Sequence, residues 1–365
     1  METIRFGVVG CGYFGSELAR IVQRMEGTEV TAVFGGSDAA RLAEELQCKE
    51  AATLEELTSL ENVDAVIVAS PNHVHKEAVM LAAARGKHVF CEKPVALSLS
   101  DCRDMLAACR DAGVRFMAGH VMHFMNGVQQ VKRWIAEGEI GRPILCHAER
   151  TGWEEKQPAV SWKKNVATSG GHLFHHIHEL DVLQAIMGPA EQVVMAGGNL
   201  GHQGDGFGDE EDALLLTLEF PGGTLGTMQY GGGFRWAEHY IKINGTEGSI
   251  LMDMKNSKVI LNRGAQLTSR MLNDTAAEDL ERAQSYELAH GGISYGSPSV
   301  RVPGWLITAM TKELKAFRDA LQGKPAEDSL NLLFDGSAAL TSIATAEAAM
   351  RSMREKRWIA VESIH

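Results

Sequence analysis

Val8-Val9-Gly10-Cys11-Gly12-Tyr13-Phe14-Gly15 is the stretch that decides the fold. The apolar run Ile4 to Val9 leads into it, and a helical pattern through Leu18, Ala19, Ile21 and Val22 leads out. Strand, tight turn and helix in that order, carrying G-x-G-x-x-G, predict a dinucleotide-binding turn. The first glycine permits the turn, the second lets backbone approach a pyrophosphate, and the third lets helix and strand pack closely. The helix start offers free N–H groups and the positive end of its dipole to phosphates. Gly10, Gly12, Tyr13 and Phe14 are therefore candidate cofactor contacts.

Outward from this turn, the first ~120 residues alternate strand and helix. Strands are predicted at Ile4–Val9, Val30–Phe34, Ala65–Ala69, His88–Cys91 and Phe116–Ala118, with helices at Asp38–Leu46, His75–Arg85 and Ser100–Ala112. Buried strands separated by helices imply an α/β, doubly wound parallel sheet. After Gly141 the strands lengthen and alternate: Ile144–Arg150, Ala213–Phe220, Thr224–Tyr230, His239–Asn244 and Ser249–Asp253. Pro221-Gly222-Gly223 and Asn244-Gly245 separate some of them. A mostly antiparallel sheet follows, in an α+β domain interrupted by a helical segment near Gly171–Met187. Helices near Trp305–Leu321 and Asp335–Arg354 close the chain, and Asn262–Arg301 reads as a long loop or lid. The expected division is a dinucleotide-binding domain over residues 1–122 and a substrate and oligomerisation domain over 123–365, with the C-terminal helices packing back on the first.

The bulk composition narrows the partners. With 365 residues the chain exceeds one ordinary core. It is 45% hydrophobic and 22% charged, with a net charge of −12. The mixed acidic balance argues against nucleic acid, which needs a basic face. No apolar run reaches the ~20 residues that span a bilayer, and the N-terminus lacks a signal-peptide layout. The expectation is a cytoplasmic protein with no membrane or nucleic-acid partner. Cys11, Cys48, Cys91, Cys102, Cys109 and Cys146 form no C-x-x-C pair and read as free thiols.

The second strand should end in a carboxylate about 20 residues after the glycine turn, to hold the ribose of NAD. Here it ends Val33-Phe34-Gly35-Gly36-Ser37-Asp38. Ser37 can meet the ribose or a 2′-phosphate, with Arg41 nearby, and Ser37-Asp38 is equally a helix N-cap. The cofactor is NAD or NADP, NAD being favoured because no Arg or Lys directly follows the tip. Ala69-Ser70-Pro71-Asn72-His73-Val74-His75 follows the third strand, at the edge where ligands sit in open parallel sheets. Ser70, Asn72 and His75 are thus cofactor candidates, although Pro and Asn also suit a plain turn. Glu92-Lys93-Pro94 follows the fourth strand. Lys93 can stabilise alkoxide-like charge, and Glu92-Lys93 can equally be a solvated pair.

The densest constellation is Ser169-Gly170-Gly171-His172-Leu173-Phe174-His175-His176-Ile177-His178-Glu179-Leu180-Asp181. On a continuous helix, His175, His178 and Asp181 would share one face. A carboxylate one turn away raises imidazole basicity, which makes His178 a candidate general base. Clustered imidazoles also suit zinc, but the stretch is not H-E-x-x-H, and no metal is assigned. His120 and His123 follow the fifth strand and can reach the same cleft. Trp162, like Trp153, can stack on a sugar or anchor a loop, and Lys163 follows it. With His175 and Asp181, the residues His120, His123, Trp162 and Lys163 are the substrate candidates.

Taken together, Gly10–Gly15, Pro71-Asn72 with His75, Glu92-Lys93-Pro94, Gly138-Glu139-Ile140-Gly141-Arg142-Pro143 and the Gly-Gly…His178-x-x-Asp181 segment make the chain resemble the Gfo/Idh/MocA oxidoreductases over nearly its whole length. The resemblance implies a Rossmann domain followed by an α/β domain with an open-faced antiparallel sheet. It implies homodimers or homotetramers through that face. It also implies hydride exchange between NAD(P) and a carbinol of a sugar, glycoside or polyol, such as the C3 position of a pyranose. Lys93 would contact substrate near the nicotinamide, and His178 would be the acid/base with Asp181 its neighbour. Phe174 stands where the family commonly has aspartate, His176 where it has glycine, and His123 where it has arginine. Two rival readings follow: a dinucleotide or sugar sensor without turnover, and a metal-assisted enzyme using the histidines.

Overall fold

The computed structural model describes residues 3–288 and 301–364. The chain divides into two compact units, one of residues 3–121 with 301–340 and one of residues 122–288 with 341–364. Among the described residues no helix is long and apolar enough to cross a membrane.

The first unit is built on β1 (Ile4–Val9), β2 (Thr28–Phe34), β3 (Lys49–Glu50), β4 (Ala65–Val68), β5 (His88–Glu92) and β6 (Phe116–Gly119). All pairs are parallel, in the order β3-β2-β1-β4-β5-β6. This is the doubly wound sheet the sequence predicts. Its order reverses between β1 and β4, the switch point where ligands sit in such sheets. Gly10 and Ser70 leave the sheet on either side of that point. The four residues of β4 are fully buried, as a strand covered on both faces requires. The helix Gly304–Leu321 belongs to this unit and inserts Phe317 against Phe6 and Phe90, ring centroids 6.2 and 5.9 Å apart. All three rings are fully buried, each contributing about 1.5–3 kcal/mol.

The second unit carries nine strands: β7 (Pro143–Thr151), β8 (Gln192–Gly198), β9 (Ala213–Phe220), β10 (Thr224–Gly231), β11 (His239–Gly245), β12 (Ser249–Asp253), β13 (Lys258–Arg263), β14 (Gln266–Met271) and β15 (Ile359–Ala360). Their order is β14-β13-β12-β11-β7-β10-β9-β8-β15. Only β7 and β10 pair in parallel; the rest are antiparallel. The helix Asn126–Ala136 packs on β12 to β14, and His178–Met187 packs on β7. The register sets Tyr230, Arg150 and His239 side by side in one row across β10, β7 and β11. Leu145, Leu225 and Leu215 belong to the opposite face and are exposed.

Two expectations are corrected here. Asn262–Arg301 is not one long loop: it holds the end of β13, all of β14 and the helix Ala276–Leu288. Residues 289–300 of that stretch lie outside the described residues. The helix expected over Gly171–Met187 is two helices, His172–His175 and His178–Met187, broken at His176 (φ −107°, ψ 39°) and Ile177. His175 and His178 therefore do not share a helical face.

Candidate active site

In the first unit, the glycine turn separates packing from vacancy. A Cβ on Gly10 (φ +97°) would lie 2.4 Å from the Ser70 backbone nitrogen, and one on Gly15 would lie 1.8 Å from the Gly10 carbonyl oxygen. Those two glycines let the exits of β1 and β4 and the following helix meet. A Cβ on Gly12 would meet nothing within 4 Å. Among the described residues, none fills the space beside the middle glycine. The helix Tyr13–Arg24 opens without a side-chain cap or an acidic residue in its first turn, which leaves its positive end for an anion. The Ser70 hydroxyl is buried and has no partner among the described residues. These features fit a dinucleotide pyrophosphate. Gly12 is extended (φ −83°), so Gly12→Ala should fold with stability within about 1 kcal/mol of the parent. It should weaken NAD binding tenfold or more. Calorimetric titration beside thermal unfolding checks this, and unchanged affinity counts against the assignment.

The other cofactor candidates take different stations. Tyr13 and Phe14 are half-buried, their rings meeting edge-on at 5.8 Å. Ser37 is exposed, and Asp38 at the N-cap pairs with Arg41 at 3.2 Å instead of capping with its side chain. Asn72 is buried. His75 is buried with Nδ1 3.0 Å from the Pro94 carbonyl and Nε2 2.9 Å from the Ser70 carbonyl. Burial pushes its pKa down, so the ring is neutral and donates its one N–H to one of these two carbonyls, and buried there it offers little surface to a cofactor. Cys11, inside the turn, is an inert thiol that burial pushes up to about 12.

Behind Lys93 lies a carboxyl pair that sequence reasoning missed. Glu92 ends β5 and accepts the Lys93 backbone N–H at 3.3 Å, while its Oε1 has no partner among the described residues. Glu313, from the helix Gly304–Leu321, is fully buried, and among the described residues neither of its oxygens has a hydrogen-bond partner. Burial raises both, and mutual repulsion adds to it at Glu313, whereas Lys93 partly restrains Glu92, which is raised to about 7. His120, 1% exposed, adds the smallest downward pull on Glu92. A carboxyl raised on folding binds protons more tightly in the native state. It therefore costs stability as pH rises from the ordinary carboxyl value, near 4.5, through about 7. Glu313→Gln should flatten that slope and stabilise the protein by about 1–3 kcal/mol at pH 8. Unfolding midpoints measured from pH 5 to 8 test it; an unchanged slope refutes the shared-charge reading.

In the second unit, Gly170 and Gly171 both have left-handed backbones (φ +86° and +89°), and a Cβ on Gly171 would lie 2.7 Å from Glu211 Oε2. This double turn launches the histidine segment. His172 is buried, its Nδ1 3.4 Å from Glu210 Oε1 and its backbone N–H donating to Glu211 at 3.3 Å. His175, His176 and His178 are half-buried. Their segment is tied together by ring contacts: His172 to His176 at 4.5 Å, His176 to His175 at 4.7 Å, and His175 edge-on to Trp162 at 5.9 Å. Burial, then Arg150 and the flanking imidazoles, holds His176 well below the usual histidine range, so it is a neutral proton acceptor at physiological pH. Among the described residues no group of three His, Cys, Asp or Glu side chains is placed to hold a metal ion.

Asp181 and His123 come together as the supporting layer. Lys132 donates to His123 Nδ1 at 2.9 Å, leaving Nε2 to donate to Asp181 at 2.7 Å. Ser342 donates to the other Asp181 oxygen at 3.3 Å. His123 is 0% exposed, so it has no surface for a substrate and acts through these partners. Beneath His178, Glu179 is fully buried and receives Tyr230 at 2.9 Å, His239 Nε2 at 2.8 Å and Arg150 at 3.4 Å. His239 in turn bonds Tyr286. Arg150, and the bonds from His239, keep Glu179 ionised despite its burial. Sequence reasoning missed this network because its members come from three strands and two helices far apart in sequence.

A family model described as "Oxidoreductase family, NAD-binding Rossmann fold" matches residues 4–120, and one described as "Oxidoreductase family, C-terminal alpha/beta domain" matches residues 132–361. The chain is 48% identical over 365 residues to the 2,7-anhydro-N-acetylneuraminate hydratase of Escherichia coli (strain K12), covering 99% of this chain and 98% of that protein. It is 44% identical to the protein of the same name from Mediterraneibacter gnavus, covering 100% and 98%. Among solved structures, levoglucosan dehydrogenase in complex with NADH and levoglucosan superposes with a TM-score of 0.79 at 19% identity, covering 99% of this chain and 100% of that one.

Proposed function

This chain belongs to the Gfo/Idh/MocA oxidoreductase family, and from that membership we propose that it adds water to an anhydro-sugar acid, 2,7-anhydro-N-acetylneuraminate or a close analogue, with no net redox change. The relatives named as hydratases support the substrate. The observation that carries the reading is the half-buried strip His175, His176 and His178. It holds more proton-transfer groups than a single dehydrogenation uses.

Gly10, Gly12, Tyr13, Phe14, Ser37, Ser70 and Asn72 would hold the dinucleotide, with His75 and Glu92 setting the turns around it. When bound, the dinucleotide would supply a reversible hydride acceptor for a carbinol carbon. The residues manage protons and charge. His178 accepts the carbinol proton, and Lys93 stabilises the oxygen as its charge changes. The carbinol is the third ring carbon, counting the bridge carbon as the first. A carbonyl there acidifies the C–H between the two. Neutral His176, with His175 beside it, removes that proton; the bridge C–O bond breaks and the proton passes to the bridge oxygen. Water then adds to the resulting C=C bond, its oxygen to the former bridge carbon and its proton to the neighbouring carbon. His178 returns its proton to the carbinol oxygen. Asp181, with His123 behind it, and His120 orient these groups, and Trp162 and Lys163 contact the sugar. Leu145, Leu215 and Leu225 on the outer sheet face support a homodimer or homotetramer, whose mass native mass spectrometry reads.

The test supplies the protein with NAD and 2,7-anhydro-N-acetylneuraminate in D2O. N-acetylneuraminate should form with deuterium on the carbon beside the former bridge carbon and without NADH accumulating. Stoichiometric NADH with plain sugars or inositol, and no reaction of the anhydro acid, would point to ordinary dehydrogenation instead.

A further inference from the structure

An acidic sugar brings a carboxylate that the site must recognise, and the cations of the second unit can be sorted by what they already hold. Lys164 lies between Glu154 and Glu210, 2.5 Å from each. Arg150 is committed to Glu179. Arg235 lies over the Trp153 ring at 3.5 Å, and Lys156 over Phe207 at 5.8 Å. Lys163 differs from all of these. It is half-buried, and among the described residues no carboxylate or carbonyl oxygen pairs with its ammonium. Asp209, whose N–H holds the Lys164 carbonyl, already accepts the Val166 N–H at 2.7 Å.

The turn that carries Lys163 is held from several sides. Thr168 donates to the Trp162 carbonyl at 2.6 Å, Lys164 N–H to Ser161 at 3.0 Å, and Asp209 N–H to the Lys164 carbonyl at 3.0 Å. The Trp162 ring meets His175 edge-on, which ties the turn to the histidine strip. Burial and the charge of Lys164 push the Lys163 pKa down, as for a cation awaiting its counter-ion. A partly desolvated ammonium on a rigid turn binds an anion more strongly than one in water.

We propose that Lys163 is the specificity determinant for acidic sugars, its ammonium receiving the substrate carboxylate while Trp162 lies against the ring. This deepens the functional reading above and rests on it for the choice of ligand. Binding and turnover are therefore measured separately. Calorimetry on the NAD-loaded protein compares N-acetylneuraminate with its methyl ester, for the parent, Lys163→Met and Lys163→Arg. The parent should bind the acid about 10- to 100-fold more tightly than the ester. Lys163→Met should bind both alike, with unfolding midpoints confirming its fold, and Lys163→Arg should recover part of the preference. A parent indifferent to the carboxyl, a parent that binds neither ligand, or a Lys163→Met protein that keeps the preference overturns the proposal. If the preference depends on Lys163 but the anhydro acid is not turned over, the proposed reaction fails and this inference stands. If the anhydro acid is turned over and Lys163→Met keeps the preference, the reverse holds.

Discussion

His178→Ala lowers kcat about 10²- to 10⁴-fold, and Lys93→Ala does the same, with each fold intact. His178 opens its helix and is half-buried, so its removal leaves the core below untouched. Lys93 stands on a turn after β5. The two residues are proposed to serve one reacting carbon, so their effects should not multiply. The double variant should be little worse than the poorer single one, since groups that act as a unit are strongly non-additive. The pH profile of kcat should also lose one limb in His178→Ala but keep it in Lys93→Ala. Steady-state kinetics of the four proteins decides this. Near-normal turnover in both single variants removes the assignment, and multiplicative losses mean separate roles.

Glu179→Ala is expected to destabilise the protein by about 3–5 kcal/mol, the cost of breaking a buried pair from one side. The loss removes a buried carboxylate from beside the Arg150 charge and strips a bond from both Tyr230 and His239. Glu179→Gln keeps the shape and a single acceptor oxygen, and should fall between parent and alanine. Urea unfolding measures both, and a loss under 1 kcal/mol for the alanine variant contradicts the network. Activity should fall in the surviving folded fraction, since Glu179 adjoins His178 and fixes the first turn of that helix on the sheet.

The first unit was the more legible in sequence, for a physical reason. Its central strands are buried on both faces, so Ala65–Val68 and the middle of His88–Glu92 read as plain apolar runs, and the glycine turn marks where β1 ends. The edge of the second sheet was not legible. In β14 five of six residues are exposed, so no burial pattern marks it, and its polar composition reads as loop. The two-residue strand β3 leaves no periodic trace at all. The histidine segment announced its chemistry but not its shape. Regular 3-residue spacing predicted one helical face, whereas the backbone breaks at His176 and sends the rings into separate contacts. Glu313 and Glu179 carried no local signal: Glu313 shares its helix with Lys312, Lys315, Arg318 and Asp319, so nothing in the sequence marks it as the buried charge, and the groups that bond Glu179 come from strands distant in sequence.

The left-handed pair Gly170-Gly171 has a practical consequence for anyone recombining this protein with its relatives. Glu211 lies where any side chain at position 171 would begin, and Glu210 and Glu211 both hold His172. The imidazole segment and the Glu210–Asp212 stretch thus form one interchangeable cassette. A chimera that brings a side chain to position 171 must shift the Glu211 carboxylate, whereas one that takes both stretches from the same donor keeps the contacts that hold His172.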